Sequence, residues 1–303
     1  MLRWQLRRLS TFAHGALASK LGRPLSDLQT SSQLSLRAKD LAHGTLSAGE
    51  MKLLVLLLEA NPALRTLDLT GHGMGSASAA DVARLLRGCH ALQALHLGNN
   101  NLRAGVVEIA DALQENATLL EMHLPAYSIG PDACQHIALA LETNRALQTL
   151  DLSDNAFGPK GGSSLARALR TNSSVRSLHL RTASIRVQGA CDMADALKKN
   201  TRLCELGLQE NFMGAEGVSA MAQMLHYNST LHSLDLSNNG ISVGSSSGTA
   251  STITALAEAL MTNTTLQILD LQLNGLDVDS KQELTRAAHR SNHLRLAPLQ
   301  LKL

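Results

Sequence analysis

The 303-residue chain has few aromatic side chains, because Phe, Tyr and Trp together make up only 2% of it. Its hydrophobic content of 44% is ordinary and is dominated by leucine and alanine. Compact globular cores obtain much of their buried area from aromatic rings. A core without them has to be assembled from many similar aliphatic layers, so the composition favours a repetitive architecture over a single compact globule.

Cysteines and long hydrophobic runs are also scarce. The cysteines show no CxxC pair and no regular spacing with histidine, so we expect reduced thiols in an intracellular protein. There are four of them, at Cys89, Cys134, Cys191 and Cys204. No run of 18 or more apolar residues occurs, and we therefore expect no membrane span.

Acidic residues are missing from positions 1–26, which contain five basic side chains: Arg3, Arg7, Arg8, Lys20 and Arg23. The formal net charge of the whole chain is +2. Without positions 1–26, the chain has 22 basic and 25 acidic residues, which gives a net charge of about −3. A mildly acidic body gives no electrostatic reason to expect nucleic-acid binding.

The basic segment 1–26 has the character of an organelle-targeting peptide: it is amphipathic, rich in arginine and free of acid. On a helix, its apolar residues share one face: Leu2, Leu6, Leu9, Ala13 and Leu17. We predict a mitochondrial transit peptide, with roughly the first twenty-odd residues removed in the mature protein. A basic capping helix in a cytoplasmic protein, or a disordered tail, is the alternative.

A pattern of the form LxxLxLxxNxΦG, where Φ is apolar, recurs along the chain and is complete in residues 147–158. Its copies begin at Leu64, Leu92, Leu119, Leu147, Val175, Leu203, Leu231 and Leu266. Successive copies are 28, 27, 28, 28, 28, 28 and 35 residues apart. Such regularity indicates a solenoid of stacked supersecondary units.

Each unit is predicted to begin with a strand, in which leucines such as Leu178 and Leu180 point inward and the residue between them points outward. We expect the asparagine after the strand to bond the backbone of the turn. In three repeats the asparagine is replaced by His72, Tyr127 or Ala183, and the backbone of these turns needs other hydrogen-bond partners.

The second half of each unit shows helical spacing of its apolar residues, as in residues 104–116. Each predicted helix ends at an asparagine, for which we expect a left-handed capping conformation. These are Asn61, Asn116, Asn144, Asn172, Asn200, Asn228, Asn263 and Asn292. Four match the glycosylation pattern, but the same asparagine recurs without Ser or Thr, so we interpret it as a cap.

These units resemble the ribonuclease-inhibitor-like class of leucine-rich repeats, which includes ribonuclease inhibitor, the receptor domains of NOD-like proteins and the Ran GTPase-activating protein. The resemblance implies an α/β horseshoe solenoid with parallel strands on the concave face and α-helices on the convex face. It covers eight repeats in residues 64–293, of which the seventh is extended by a flexible Ser/Gly loop at 243–249. We predict a degenerate capping repeat at 31–63 and a C-terminal cap at 294–303.

Histidine and aspartate dominate the outward strand positions, which we interpret as a partner-binding surface. The candidate residues are Asp68, His96, His123, Asp151, His179, Arg181, Asp235 and Asp270. A solvated polar face without a role is one alternative. The other is a metal or acid–base centre built on His96, His123, Asp151 and His179, which are suitable zinc ligands. Since an open sheet offers no pocket, we assign no catalytic, cofactor-binding or metal-binding residue.

The chain is therefore expected to be a non-enzymatic scaffold that binds a partner protein, as a subunit of a mitochondrial assembly, with no small-molecule substrate. Aromatic anchors are missing from the outward strand positions, so the turn edge is a second candidate surface: Arg103, Tyr127, Arg186 and Phe212. The resemblance also implies an alternative, a GTPase activator similar to the Ran GTPase-activating protein. That family carries a long acidic C-terminal stretch, which residues 297–303 do not contain.

Overall fold

A computed structural model describes residues 11–41, 44–125, 129–242, 246–295 and 297–303. Its helices are α1 (Thr11–Leu21), α2 (Ala48–Leu58), α3 (Ser76–Gly88), α4 (Val106–Glu115), α5 (Pro131–Thr143), α6 (Gly158–Leu169), α7 (Arg186–Leu197), α8 (Gly214–Leu225), α9 (Ser246–Thr262) and α10 (Val278–Ser291). Its strands are β1 (Gln33–Ser35), β2 (Thr66–Asp68), β3 (Ala94–His96), β4 (Glu121–His123), β5 (Thr149–Asp151), β6 (Ser177–His179), β7 (Glu205–Gly207), β8 (Ser233–Asp235), β9 (Ile268–Asp270) and β10 (Gln300–Lys302).

The strands form one open sheet in the order of the chain, from β1 to β10. Pairing is parallel and keeps equivalent positions opposite each other, as with Leu34, Leu67 and Leu95 at the middle of β1, β2 and β3. These middle side chains are buried, and helices alternate with the strands along the chain. The predicted fold class, an α/β repeat solenoid with parallel strands, is confirmed.

The chain divides into two compact units. Unit 1 comprises Met1–Ile129 and Ala146–Leu150, and unit 2 comprises Gly130–Arg145 and Asp151–Leu303. Within unit 2, consecutive helices pack side by side. Helices α6 and α7 approach closely through two glycines: a Cβ added to Gly189 would lie 2.6 Å from Ile185 Cγ2 and 3.5 Å from Gly162 Cα. Small residues at this contact allow the two backbones to meet.

The asparagine after each strand connects its turn to the preceding repeat. Asn211, fully buried, donates from Nδ2 to Leu180 O at 2.8 Å and to Gln209 O at 3.0 Å. Its Oδ1 accepts from the backbone N–H groups of Ala183 at 3.0 Å and Ile185 at 3.1 Å. Equivalent bonds are made by Asn100, Asn239 and Asn274. One amide side chain thus satisfies backbone groups that would otherwise be buried without partners.

Histidine performs the same task at the first repeat, where His72 replaces asparagine. The ring Nδ1 accepts from Leu46 N at 3.0 Å and Nε2 lies 2.6 Å from Leu36 O, to which it donates. Burial lowers the pKa of His72, so the neutral tautomer that this bonding pattern requires is favoured. Tyr127, the second replacement, lies outside the described residues.

The helix-end asparagines differ from the prediction, because they are not left-handed. Asn116 has φ −78° and ψ 125°, and Asn144 has φ −65° and ψ 134°, which is extended backbone. In this conformation Asn116 Oδ1 accepts from the N–H groups of Thr118 and Leu119, and its Nδ2 donates to Leu86 O of the preceding helix. The prediction was wrong because the amide links successive helices rather than reversing the chain after one.

The four glycosylation-pattern asparagines use the same bond. Their Nδ2 atoms donate to a leucine carbonyl of the preceding helix, and their side chains are buried: Asn116, Asn172, Asn228 and Asn263. The nitrogen to which a glycan attaches is therefore engaged in the folded chain, which agrees with the interpretation of these residues as structural.

The long seventh repeat contains a longer helix than predicted. Helix α9 has 17 residues and begins at Ser246, so residues 246–249, predicted as a loop, form its first turn. One turn further along, Thr252 Oγ1 donates to Ala215 O of α8 at 3.0 Å, which attaches α9 to the neighbouring helix. Residues 243–245 of the predicted loop lie outside the described part of the chain.

The N-terminal segment is partly described. Residues 1–10 lie outside the described residues, whereas α1 buries Leu17 and Leu21. Lys20 Nζ lies 3.0 Å from Glu50 Oε2 in the first turn of α2. Helix α1 therefore contacts the degenerate capping repeat of residues 31–63. Among the described residues, no helix combines the length and the apolar character needed to cross a membrane.

Candidate partner-binding surface

The third residue of each strand forms the row of side chains that was predicted to bind a partner. In unit 1, Asp68 lies opposite His96 and His96 lies opposite His123. In unit 2, His179, Gly207, Asp235 and Asp270 occupy consecutive strands in the same register. The strand spacing places neighbouring members of a row about 4.8 Å apart. Asp151 occupies the equivalent position at the end of β5.

The aspartates of this row have a structural task. Each one accepts, through Oδ1, the backbone N–H of the residue two positions later, at 2.9 or 3.0 Å: Asp68, Asp151, Asp235 and Asp270. This bond is typical of aspartate where a strand passes into a turn. It holds the turn that leads towards the asparagine described above.

Two of these aspartates are also neutralised by basic residues of the terminal strands and turns. Asp68 is paired with Arg37, and Asp270 Oδ2 lies 3.1 Å from Lys302 Nζ, with 7% and 9% of the two carboxylate side chains exposed. Burial raises the pKa of Asp68, but hydrogen bonds from Thr70 and Arg37 outweigh it and lower this pKa below its ordinary value. Both carboxylates are buried and have partners within the chain.

His96 and His123 lie together in unit 1, with ring centroids 4.5 Å apart. Glu121 joins them: its Oε1 lies 2.6 Å from His123 Nε2 and 3.4 Å from His96 Nε2. Glu121 was not among the predicted site residues, although the signal was present. Residues two apart on a strand share a face, and Glu121 and His123 are spaced in this way.

His179 belongs to a different arrangement in unit 2. Ser177 Oγ donates to Glu205 Oε2 at 3.0 Å and lies 2.9 Å from His179 Nε2. A nucleophilic serine needs to give its proton to the histidine, which a carboxylate orients from the other ring nitrogen. Here the serine proton is directed to the carboxylate instead. This trio therefore lacks the geometry of an acyl-transfer relay.

The turn edge of unit 2 carries the exposed groups that the strand row lacks. Arg181, with about half of its side chain exposed, lies 3.4 Å from Glu210 through Nε and Oε1. Phe212 is 68% exposed and borders a cavity of about 360 Å³. The other lining residues are Thr182, Glu210, Gly214, Asn238, Asn239 and Gly240. Phe157, two repeats earlier, is buried and packs in the core.

Phe212 also has an unusual backbone conformation, with φ 55°. The equivalent position of other repeats, directly after the turn asparagine or its replacement, is also left-handed: it is glycine at Gly73, Gly240 and Gly275, with φ 63°, 74° and 70°, and serine at Ser184, with φ 57°. Only glycine adopts this left-handed region without a steric cost, and an aromatic residue there is an outlier. Local packing does not explain it, since the ring faces solvent.

The cysteines offer no activated nucleophile in the core. Burial raises the pKa of Cys89 and of Cys134 to about 12, so both remain protonated at neutral pH. Burial and neighbouring carboxylates also raise the pKa of Cys191. All four thiols are free, and the buried ones, Cys89 and Cys134, pack as small hydrophobic groups.

Family comparison agrees with this repeat geometry. A sequence profile described as a leucine-rich repeat matches residues 143–166, 227–243 and 262–279, which span the strand and turn of three repeats. The chain is a leucine-rich-repeat protein. Its repeats have the length and the full α-helix expected from the ribonuclease-inhibitor-like class. No curated protein matches the whole leucine-rich-repeat chain or a part of it.

Two solved structures share features of this leucine-rich-repeat chain. The tropomodulin C-terminal domain of Caenorhabditis elegans is 14% identical, with a TM-score of 0.43 over 54% of this chain and 93% of that domain. Actin-binding site 2 of leiomodin-1 is 17% identical, with a TM-score of 0.37 over 60% of this chain and 86% of that structure.

Proposed function

We propose that this leucine-rich-repeat protein is a non-enzymatic scaffold that binds a partner protein through the turn edge of unit 2. The observation that carries the proposal is Phe212, an exposed aromatic side chain on a left-handed backbone. Backbone outliers of this kind cost about 1–3 kcal/mol and concentrate at functional positions. A phenylalanine that costs stability and faces solvent suits a residue whose contacts lie in another molecule.

The surroundings of Phe212 fit the centre of a protein interface. Interfaces combine aromatic anchors with a polar rim. The cavity beside the ring accepts an apolar group of the partner, and Glu210 with its ion-pair partner Arg181 supplies charges at the rim. Leu273 has the same combination further along unit 2, with φ 59° and 79% exposure. Together they provide the anchors that the strand row lacks.

The predicted strand row has a secondary part in this proposal. His179 and Asp235 lie in unit 2 and provide directional hydrogen-bonding groups next to the turn edge. Asp68 and Asp270 are satisfied within the chain and are expected to contribute little to a partner. Charged groups of this row affect the rate and the salt dependence of association more than its affinity.

Two substitutions at Phe212 test the proposal. Phe212→Gly relieves the backbone strain and removes the ring, so we expect equal or greater stability together with lost binding. Phe212→Ala removes the ring alone. Partners are captured quantitatively from source cells with the wild-type and variant chains, and the affinity of each reproducible partner is measured with purified protein. We expect at least a tenfold loss, about 1.4 kcal/mol, for both variants.

Tyr227→Ala is the matched control, since Tyr227 is an aromatic residue with 71% exposure at the end of α8 rather than on the turn edge. Its affinity is expected to equal that of the wild type. Unchanged partner affinity in Phe212→Gly, or an equal loss in Tyr227→Ala, would rule out the turn edge as the binding surface. Should the captured partner be a small GTPase, its rate of GTP hydrolysis with and without the chain tests the alternative of a GTPase activator.

The location proposed for this scaffold is the mitochondrion, where it would be a subunit of an assembly. Positions 1–26 support this location, because they contain five basic residues and no acidic residue. Import of the radiolabelled full chain into isolated mitochondria tests it, with residues 27–303 as the control. We expect protease protection and membrane-potential dependence for the full chain only. Equal protection of both chains, or of neither, would contradict the proposal.

A further inference from the structure

A cluster of three metal-ligating side chains lies on strands β3 and β4 of unit 1. Among the described residues, the ligand atoms of His96, Glu121 and His123 form a group in which all lie within 4.8 Å of one another. The two histidines come from directly opposed strand positions, and the glutamate shares a strand and a face with His123. Rigid strand pairing, rather than a loop, therefore sets their separation.

One of the ligand separations matches that of a tetrahedral ion, and a second needs a small opening. Zinc bonds to imidazole nitrogen and carboxylate oxygen at about 2.0–2.2 Å, which separates neighbouring ligand atoms by roughly 3.3 Å. The separation of His96 Nε2 from Glu121 Oε1 is 3.4 Å, close to this value. His123 Nε2 lies 2.6 Å from the same oxygen, within hydrogen-bonding distance. For an ion to bind between these two atoms, their separation has to increase by about 0.7 Å.

The donor set and its surroundings favour the same ion. Two histidines and one glutamate form a ligand set that binds zinc and leaves a fourth position open. The three side chains are 26–41% exposed, so an ion can enter and the fourth position can hold water. Among the described residues, Glu121 forms ion pairs only with these two histidines. No lysine or arginine in that part of the chain forms an ion pair that would neutralise its carboxylate.

The residues beside His96 on strand β3 supply no competing ligand. On strand β3 and the turn after it, the outward positions on either side of His96 are Ala94 and Gly98. Neither position has a functional group that would occupy the space or compete for Glu121. Asp68, the strand neighbour of His96, is already engaged by Arg37 and is therefore not part of the ligand set.

We propose that His96, Glu121 and His123 bind one divalent transition-metal ion of the zinc class, with the fourth position open. This site differs from the centre considered from the sequence, because Glu121 is a ligand and Asp151 and His179 are not. It belongs to unit 1, whereas the Phe212 cavity belongs to unit 2, so it goes beyond the scaffold function and does not depend on it.

Zinc titration of the tag-free full chain, freed of metal with a chelator, tests the site. Binding is measured at neutral pH by calorimetry and by competition with a chromogenic zinc indicator. We expect one equivalent of zinc per chain. His123→Ala is expected to weaken this binding at least 100-fold, and Glu121→Gln, which keeps the size of the side chain and removes its charge, at least 10-fold.

His179→Ala is the matched control, because His179 occupies the same strand position in β6 and lies outside the cluster. It is expected to keep one equivalent at unchanged affinity. Circular dichroism of every variant verifies the fold, and cobalt bound in place of zinc gives a visible absorption band that reports a low coordination number. No stoichiometric zinc in the wild type, or an unchanged affinity in folded His123→Ala, would overturn the site, as would equal weakening in His179→Ala.

Discussion

Single asparagines carry much of the specificity of this fold at the residue scale. Two sets recur, one in the turns after most strands and one at the ends of most helices, and both connect a repeat to its predecessor. A carboxamide is suited to this position because it donates and accepts at the same time. A buried turn with unpaired backbone groups would otherwise cost several kcal/mol for each repeat, about 1–3 kcal/mol for each group.

Replacing Asn211 by alanine tests this role. The change removes the partners of two carbonyl and two N–H groups, at Leu180, Gln209, Ala183 and Ile185. We expect a loss of about 3 kcal/mol or more in the free energy of unfolding. Urea denaturation followed by circular dichroism measures it. Asn101→Ala is the control, since exposed Asn101 bonds with the side chain of Arg103 and is expected to change stability by less than about 0.5 kcal/mol.

Residue-scale predictions from the sequence succeeded where one residue type has one task. The turn asparagines were predicted, and His72 replaces them as a donor and an acceptor. The helix-end asparagines were predicted as caps but given the wrong backbone conformation. Their partners belong to the preceding helix, and sequence spacing does not show which carbonyl a side chain meets.

At the scale of the element, short strands gain their stability from buried leucines rather than from length. Each strand has three residues, which is below the usual length of an independent strand. Leucines such as Leu206 and Leu208 of the seventh strand region are fully buried. Because each repeat contacts only its neighbours, the loss of one leucine affects a layer and the layers beside it.

Leu208→Ala tests the contribution of one layer. We expect a loss of about 2–5 kcal/mol from the removed contacts and the cavity that remains. Hydrogen exchange read by mass spectrometry is expected to rise most in the repeats on either side of β7. Leu273→Ala is the control, because Leu273 is 79% exposed and loses little on truncation. Uniform exchange across all repeats in Leu208→Ala would argue against local coupling.

Element boundaries show where the sequence pattern is weak. The eight central strands follow from the leucine spacing, whereas β10 has no repeat motif and becomes a strand by pairing with β9. The Ser/Gly-rich start of α9 resembles a loop in composition, but bonds to α8 extend the helix. In both cases a neighbouring element supplies the stabilisation that the local sequence lacks.

At the scale of the whole molecule, charge is separated along the chain. Positions 1–26 carry five basic residues, and the remainder carries 22 basic against 25 acidic residues. The remainder has no net positive charge with which to neutralise a phosphate backbone, and affinity for DNA depends on such neutralisation. The leucine-rich-repeat body is therefore expected to discriminate against nucleic acids.

Electrophoretic mobility of duplex DNA with the purified full chain tests this expectation at physiological salt. We expect binding weaker than about 10⁻⁴ M, the weak limit of ordinary non-specific binding. Lower salt is expected to strengthen any interaction through the basic segment. Tight, salt-resistant binding of the chain to DNA would contradict this expectation and would favour a nucleic acid over a protein as the partner.

The sequence by itself determined the fold class and the turn asparagines, because a solenoid repeats one local solution and periodicity reveals it. Only the tertiary structure decided which outward side chains meet. Glu121 joins His96 through the pairing of two strands, and Phe212 remains exposed because of a backbone turn that leaves it without local contacts. Spacing along a chain reports which face a residue occupies, whereas distances across strands depend on register and rotamer.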